Sequence, residues 1–270
     1  MPALHPIIAV TGSSGAGTTS VSRIFQQIFR REKVGAAFVE GDAFHRYDRA
    51  EMAQRMTEEA AAGNHVFSHF GPAANLFEEL EALFHDYAAE GSGRFRKYLH
   101  DDEEAAPYDQ EPGTFTPWQD VPPDADLLFY EGLHGAIRTD RVDVARYPDL
   151  LIGVVPVINL EWIQKIHRDK SARGYSTEAV TDTILRRMPD FVNYICPQFT
   201  RTHINFQRVP VVDPGGGRRN TELERIARHR RSAQKVGGRR SERLELARQR
   251  QRHRVGQLAT GRRRARRPRL

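Results

Sequence analysis

A short apolar run at 6–11, PIIAVT, ends on Gly12-Ser13-Ser14-Gly15-Ala16-Gly17-Thr18-Thr19. The loop feeds straight into TSVSRIFQQIFRR, where Val21, Ile24, Phe25 and Ile28 recur at helical spacing. A continuous apolar strand, a turn of small residues and an amphipathic helix commit the chain to a buried parallel strand. AAFVEGD at 36–42, DLLFYEG at 126–132 and DLLIGVVPVI at 149–158 are further apolar runs bounded by acidic or proline residues, and each predicts a strand. Helical patterns lie between and after them, at 48–62, 73–90 (Leu76, Leu80, Leu83 and Phe84 on one face), 159–172 and 176–188. Residues 91–125, rich in Gly, Pro and Asp, predict loops and a short strand around RFRKYLH, and a last region ends in the apolar QRVPVVD of 207–213. The alternation predicts an α/β fold, a mostly parallel sheet with helices on both faces.

The glycine loop fits the phosphate-loop pattern with Thr18 where lysine is usual. Gly12, Ser13, Ser14, Gly15, Ala16 and Gly17 are small enough for backbone N–H groups to surround phosphate oxygens at a helix N-terminus. Thr18, Thr19 and Ser20 complete the cradle, and the hydroxyl of Thr19 or Ser20 can ligate Mg²⁺. A transferring phosphoryl group needs cations around it, so the charge of the absent lysine must come from elsewhere. In IQKIHRDKSARGY, Lys165 and Arg168 share a helix face and Arg173 precedes the helix-ending Gly174. The competing reading is a solvated basic helix end favoured by the macrodipole.

Ligands of open α/β sheets sit beyond the carboxyl ends of the strands. Asp42 occupies that place after AAFVEG, and Glu131 after DLLFY. An acid there can accept a hydroxyl proton or hold Mg²⁺; taken alone, either acid also suits a loop or a helix cap. His45 and Arg49, in GDAFHRYDR, can bind a second anionic group, Arg in bidentate fashion and His without a permanent charge. Tyr98 and His100 in KYLHDD are weaker candidates, because alternating aromatic and polar residues equally suit an exposed strand.

The strings HPIIAVTGSSGAGTT, VEGDAFHR, FSHFGPAAN, LLFYEGLHGA, IGVVPVINLEWIQKIHRDK, RGYSTEAVTDTILRRM and PQFTRTHINFQRVPVVD, spread over residues 5–213, resemble the bacterial phosphoribulokinases. Threonine in place of the loop lysine is usual in that family. The resemblance implies a P-loop kinase fold with a lid, which transfers the γ-phosphoryl group of ATP, with Mg²⁺, to the C1 hydroxyl of ribulose 5-phosphate. The product would be ribulose 1,5-bisphosphate, the CO₂ acceptor of the Calvin cycle. It implies Asp42 as general base, Glu131 with Mg-ATP, and Lys165, Arg168 and Asp169 in catalysis. His45, Arg49 and Arg173, with Tyr98 and His100, would hold the sugar phosphate. The lid resembles RGYSTEAVTDTILRR, with Arg186 and Arg187 at its end. Plant relatives are switched by a cysteine pair, which a chain with Cys196 alone cannot form. Bacterial relatives are commonly octameric and activated by NADH, so a homo-oligomer and NADH as effector are expected, although those surfaces partly involve C-terminal sequence, where this chain departs.

That departure is a break in composition. Up to Asp213 there are 21 Lys+Arg against 31 Asp+Glu, a net of −10; residues 214–270 hold 20 against 4, a net of +16, and the two sum to the formal +6. All 24 aromatic residues (14 Phe, 8 Tyr, 2 Trp) precede residue 214. The reading is therefore a kinase domain over 1–213, lacking its usual C-terminal elements, and an Arg-rich, low-complexity tail over 214–270 that is expected to be disordered. The tail can be a nucleic-acid-binding arm, a natural extension or, the preferred reading, an out-of-frame translation of G+C-rich DNA. The basic pI of about 9.7 thus gives no reason to expect a nucleic-acid partner. No apolar run approaches the roughly 18–20 residues of a membrane span and no signal peptide opens the chain, so no membrane partner and a cytoplasmic location are expected. The competing functions are a P-loop kinase of the uridine or pantothenate type and a P-loop ATPase that binds nucleic acid through the tail.

Overall fold

The computed structural model describes residues 4–209, the side chains of Ala172 and Arg173 excepted. The expectations for 210–213 and for the tail at 214–270 lie outside the described residues. Strand β1 (Ile7–Thr11) leads through the glycine loop into α1 (Thr18–Glu32), followed by β2 (Ala36–Glu40), a 3₁₀ turn (Gly41–Phe44), α2 (Arg49–Ala61) and α3 (Phe77–Glu90). A two-stranded antiparallel ribbon, β3 (Arg94–Phe95) with β4 (Gln119–Asp120), flanks the short α4 (Asp102–Ala105). After β5 (Leu127–Gly132) and β6 (Leu150–Pro156) come α5 (Ile158–Arg173), α6 (Thr177–Asp190) and β7 (Ile204–Arg208).

Five strands form one parallel sheet in the order β2-β5-β1-β6-β7. Alternate side chains enter opposite layers, as the two-residue period of a strand requires. Ile7, Ala9, Leu128, Tyr130 and Leu151 face a core shared with Leu80, Phe84 and Tyr87 of α3. Val10, Leu127, Phe129, Ile152 and Val154 face a second core, closed by Val21, Phe25 and Phe29 of α1. Burial on both faces explains why these strands read as unbroken apolar runs. Among the described residues no helix is long and apolar enough to cross a membrane.

Two expected elements begin or end elsewhere. The strand expected over 36–42 stops at Glu40, which places Asp42 on the 3₁₀ turn. The helix expected from residue 73 starts at Phe77, because Asn75 is extended (φ −132°, ψ 155°) and bridges to His45 in antiparallel fashion. α6 ends at Pro189 and Asp190, and a π-helical turn (Phe191–Ile195) follows; a proline within a helix removes an N–H and disturbs the preceding turn, a setting in which the hydrogen-bond register shifts.

His134 is buried beneath the sheet edge, its ring edge-on to Phe77 at 4.8 Å and its Nε2 3.0 Å from Phe70 O, to which it donates. Burial pushes its pKa down to about 3. The unfolded chain therefore binds a proton below about pH 6.5 that the folded chain refuses until about pH 3, so stability falls as the pH is lowered across that window, by at most about 1.4 kcal/mol per unit for this group. Between pH 7.5 and 5, His134→Gln is expected to lose about 2 kcal/mol less stability than the wild type. Urea midpoints at the two pH values measure the difference, and equal losses would remove His134 as a cause.

Candidate active site

Strands β2, β5 and β1 end side by side, with Glu40 and Val10 each in register with Glu131. Beyond that edge the loop leaves β1, tied down by Gly12 N donating to Gly132 O (3.2 Å) and Ala16 N donating to Ser13 O (2.9 Å). Gly15 (φ 100°) and Gly17 (φ 98°) take the left-handed conformation that side chains resist. Gly17 caps α1 with no side-chain hydrogen bond, and no acid stands in the first turn of that helix. The helix start thus offers N–H groups and a positive dipole end to an anion.

Thr18 is buried, and its hydroxyl donates to the Glu131 carboxylate. Burial pushes Glu131 up to about 7; the Thr18 bond opposes this, and the charges of Asp42 and Glu40 add to it. Thr19 and Ser20 are exposed on the first turn of α1. Among the described residues no group of three or more His, Cys, Asp or Glu side chains gathers to hold a metal. One carboxylate beside a phosphate loop and its hydroxyls nevertheless suits Mg²⁺, which takes one or two protein oxygens and fills its octahedron with phosphate and water.

Helix α5 lies directly against the loop: a methyl group on Gly15 would come within 3.4 Å of Glu161 O and 3.5 Å of Lys165 Cβ. Glu161, Lys165, Arg168 and Asp169 occupy one helical stripe. Glu161 bonds to the Ser13 side chain, and Arg168 Nη2 donates to Ser14 Oγ (3.0 Å). Lys165 Nζ reaches Asp169 Oδ2 at 2.7 Å and Arg168 Nε reaches Asp169 Oδ1 at 3.0 Å. Burial pushes the Asp169 carboxyl up, but Lys165 and Arg168 more than reverse this and hold it below the usual range. Burial pushes the Lys165 ammonium down despite that partner. A cavity beside the loop is lined by Ser14, Glu161, Trp162, Lys165, Arg187 and Phe191. Arg187 lies over the Phe70 ring (5.5 Å), while the buried Arg186 Nε has no hydrogen-bond partner among the described residues. The side chain of Arg173 lies outside the described residues.

On the other side of the loop, the Asp42 turn gathers histidines. Asp42 Oδ1 is 3.3 Å from His45 Nε2, and His100 Nε2 stands 3.9 Å from Asp42 and 3.7 Å from Glu40. Enclosure by the protein pushes the Asp42 carboxyl up, but the charge and hydrogen bond of His45, with His100 and His69, hold it well below the usual carboxylate range. The Glu40 carboxylate 3.7 Å away and the charge of Asp42 outweigh burial and raise the pKa of His100. Tyr98 packs edge-on against His100 (4.9 Å) and His45 (6.5 Å), and Arg49 Nη2 donates to His100 O (2.7 Å).

The turn itself is held by residues that the sequence did not single out. Arg96 donates to Ala43 O (2.8 Å) and His45 O (2.6 Å), its guanidinium stacked over Phe115 at 3.6 Å. Arg208 donates to Ala16 O (3.0 Å) and Gln164 Oε1 (3.2 Å), which brings a further cation to the phosphate loop. Where β2 and β5 abut, a methyl group on Gly41 would overlap the Tyr130 hydroxyl and come within 2.8 Å of Gly132 Cα. Gly41→Ala is therefore expected to cost about 1–3 kcal/mol, the scale of overpacking, and to lower turnover by displacing Asp42. A urea midpoint and turnover both unchanged would refute it.

A parallel sheet with a glycine loop after its central strand, acids at the neighbouring strand ends and a cationic helix laid across the loop defines a P-loop kinase fold. The model of the phosphoribulokinase / uridine kinase family matches residues 7–214, and the chain belongs to that family. Over 209 residues it is 71% identical to the chromosomal phosphoribulokinase of Cupriavidus necator and 70% identical to a phosphoribulokinase of Nitrobacter vulgaris, in both cases 77% of this chain and 72% of the relative. The solved phosphoribulokinase from Rhodobacter spheroides is 56% identical with a TM-score of 0.70, over 79% of this chain and 73% of that one. The family match ends one residue beyond Asp213, where the composition breaks.

Proposed function

We propose that this chain transfers the γ-phosphoryl group of ATP to the C1 hydroxyl of ribulose 5-phosphate, forming ribulose 1,5-bisphosphate for CO₂ fixation. The observation that carries the reading is the flanking of one phosphate loop by two unlike groups, the Asp42 turn and the cations of α5, in a chain 71% identical to a named phosphoribulokinase.

In this reading the loop from Gly12 to Ser20 holds the phosphates of ATP on backbone N–H groups. Glu131 and Thr19 would hold Mg²⁺, which supplies positive charge to the phosphate oxygens when bound. Asp42 orients the sugar hydroxyl and accepts its proton as the bond to phosphorus forms. Lys165 and Arg168 stabilise the charge on the transferring group from the loop side, held by Asp169, in place of the usual loop lysine. Arg208 adds a cation beside the loop backbone. His45, His100, Arg49, Tyr98 and Arg173 receive the sugar phosphate, and the segment ending in Arg186 and Arg187 closes over the site to keep water from the phosphoryl group.

ATP-dependent formation of a bisphosphate from ribulose 5-phosphate tests the reading, with uridine, pantothenate and nucleic acid in parallel. Turnover of uridine or pantothenate alone, or hydrolysis of ATP stimulated by nucleic acid, would replace it. Homo-oligomerisation and activation by NADH belong to the same reading and are checked by sedimentation and by assay with NADH. For 214–270 we favour an out-of-frame origin, and resequencing that reproduces this tail without a nucleotide error would sink the idea.

A further inference from the structure

We propose that Asn75 is a positioning residue for this reaction: it fixes the ring plane of His45 and keeps the hydrogen on Nδ1, and so leaves Nε2, which faces Asp42, as the nitrogen whose protonation can change. The inference rests on the reading of the Asp42 turn as the acceptor site.

Asn75 is only 2% exposed, and its carboxamide is fully committed. Nδ2 donates one hydrogen to His69 O (2.8 Å) and the other to Gly71 O (2.7 Å). Oδ1 is turned to His45 Nδ1 at 2.9 Å. Rotating the group by half a turn would set its oxygen against two carbonyl oxygens, so the network leaves one orientation. Oδ1 is therefore an acceptor, and His45 Nδ1 must carry the hydrogen that meets it.

That assignment passes to the other side of the ring. With Nδ1–H occupied, Nε2 is the nitrogen left to gain or lose a proton. Nε2 faces Asp42 Oδ1 at 3.3 Å. A proton on Nε2 makes the contact a charge-assisted hydrogen bond, and without one a lone pair would meet a carboxylate. With Asn75 Oδ1 as a fixed acceptor both ring nitrogens can carry hydrogen at once, the cationic form suited to a site for an anionic sugar; a donor in its place would hold Nδ1 bare and leave Asp42 a neutral Nε2–H. The ring plane is also set by His69, stacked at 4.3 Å and 34°, and by the edge of Tyr98 at 6.5 Å. Asp42, His69, His100, His134 and Tyr98 are titratable groups clustered with His45, and Arg96 and Arg187 are cations beside the cluster. Asn75 itself acts only through His45.

The first measurement needs no substrate: ¹⁵N spectra of histidine-labelled protein, with the His45 signals identified by their loss in His45→Gln. The expected result is a protonated Nδ1 across the titration and an Nε2 that alone changes state; an unprotonated Nδ1 with a neutral Nε2–H would overturn the proposal. The second is kinetic. Asn75→Leu is expected to lower kcat/KM for ribulose 5-phosphate by about 10–10²-fold, the scale for removing the orienting partner of an active-site histidine. In a His45→Gln background the same change should cost less than about threefold, because residues acting as one unit are not additive. Equal losses in both backgrounds would show a structural role only and overturn the proposal. If Asn75→Leu does not fold, the wild-type spectra decide. If the wild type does not phosphorylate ribulose 5-phosphate, the functional reading falls while the tautomer is still measured.

Discussion

Asp42→Asn is expected to lower kcat by at least about 10²-fold, the scale of general-base catalysis, and also to lower the urea midpoint, because a carboxyl held below its usual range stabilises the folded chain. The side chain is 39% exposed at the cleft, and the amide matches the carboxylate in size, so it fits the same space. What the amide cannot do is carry the negative charge that faces His45 and His100. A carboxylate held well below its usual range by those rings is a weak base. That is tolerable in phosphoryl transfer, where the transition state is loose and positioning dominates the chemistry. The effect should therefore fall on kcat rather than on the KM for ATP. Because the wild-type carboxyl stays ionised down to strong acid, loss of activity between pH 8 and 5 should not trace to Asp42. Near-normal turnover in the mutant would remove Asp42 from the role.

Lys165→Met should give the second large effect, a fall in turnover of about 10²–10³-fold, the scale seen when one preorganised charge-stabilising donor is removed. Met matches the length and packing of the stem while deleting the ammonium. The change also strips a cation from Asp169, whose side chain is 5% exposed. Breaking a buried pair from one side costs about 3–5 kcal/mol, and the remaining Arg168 contact at 3.0 Å should keep the loss at the lower end. The double variant Lys165→Met with Asp169→Leu separates the two effects. Removing both charges should restore most of the stability, because a buried pair adds little over apolar packing, yet turnover should stay low. Recovery of turnover with stability would mean that Lys165 serves the fold alone.

The parts that sequence reading could find are those fixed over short spans. The loop, Asp42, Glu131 and the α5 stripe each lie in one element, where the two-residue and 3.6-residue periods say which side chains share a face. The residues that hold the site are different in kind. Arg96 reaches carbonyls 53 and 51 positions away, Asn75 reaches a ring 30 positions away, and Arg208 reaches the loop across 192 positions. In sequence each reads as an ordinary polar residue of a loop or edge strand, because nothing local says what it meets. The same limit explains the late start of α3. The pattern of Leu76, Leu80, Leu83 and Phe84 is helical, but the bridge of Asn75 to His45 and the bond from Leu76 N to Phe44 O (2.8 Å) hold Asn75 extended, and the helix starts only at Phe77. Nor does the sequence, where Thr18 and Thr19 are like neighbours, say that Thr18 is the one buried beside Glu131.

Helix α5 links two places that a kinase must coordinate in time. Its 16 residues carry side chains bonded to Ser13 and Ser14, and it ends three residues before the helix that carries Arg186 and Arg187. In the proposed reading, a swing of α6 that tilts α5 also moves Lys165 and Arg168 over the phosphate loop, so that arming the site and covering it would be linked, an interlock between cover and trigger.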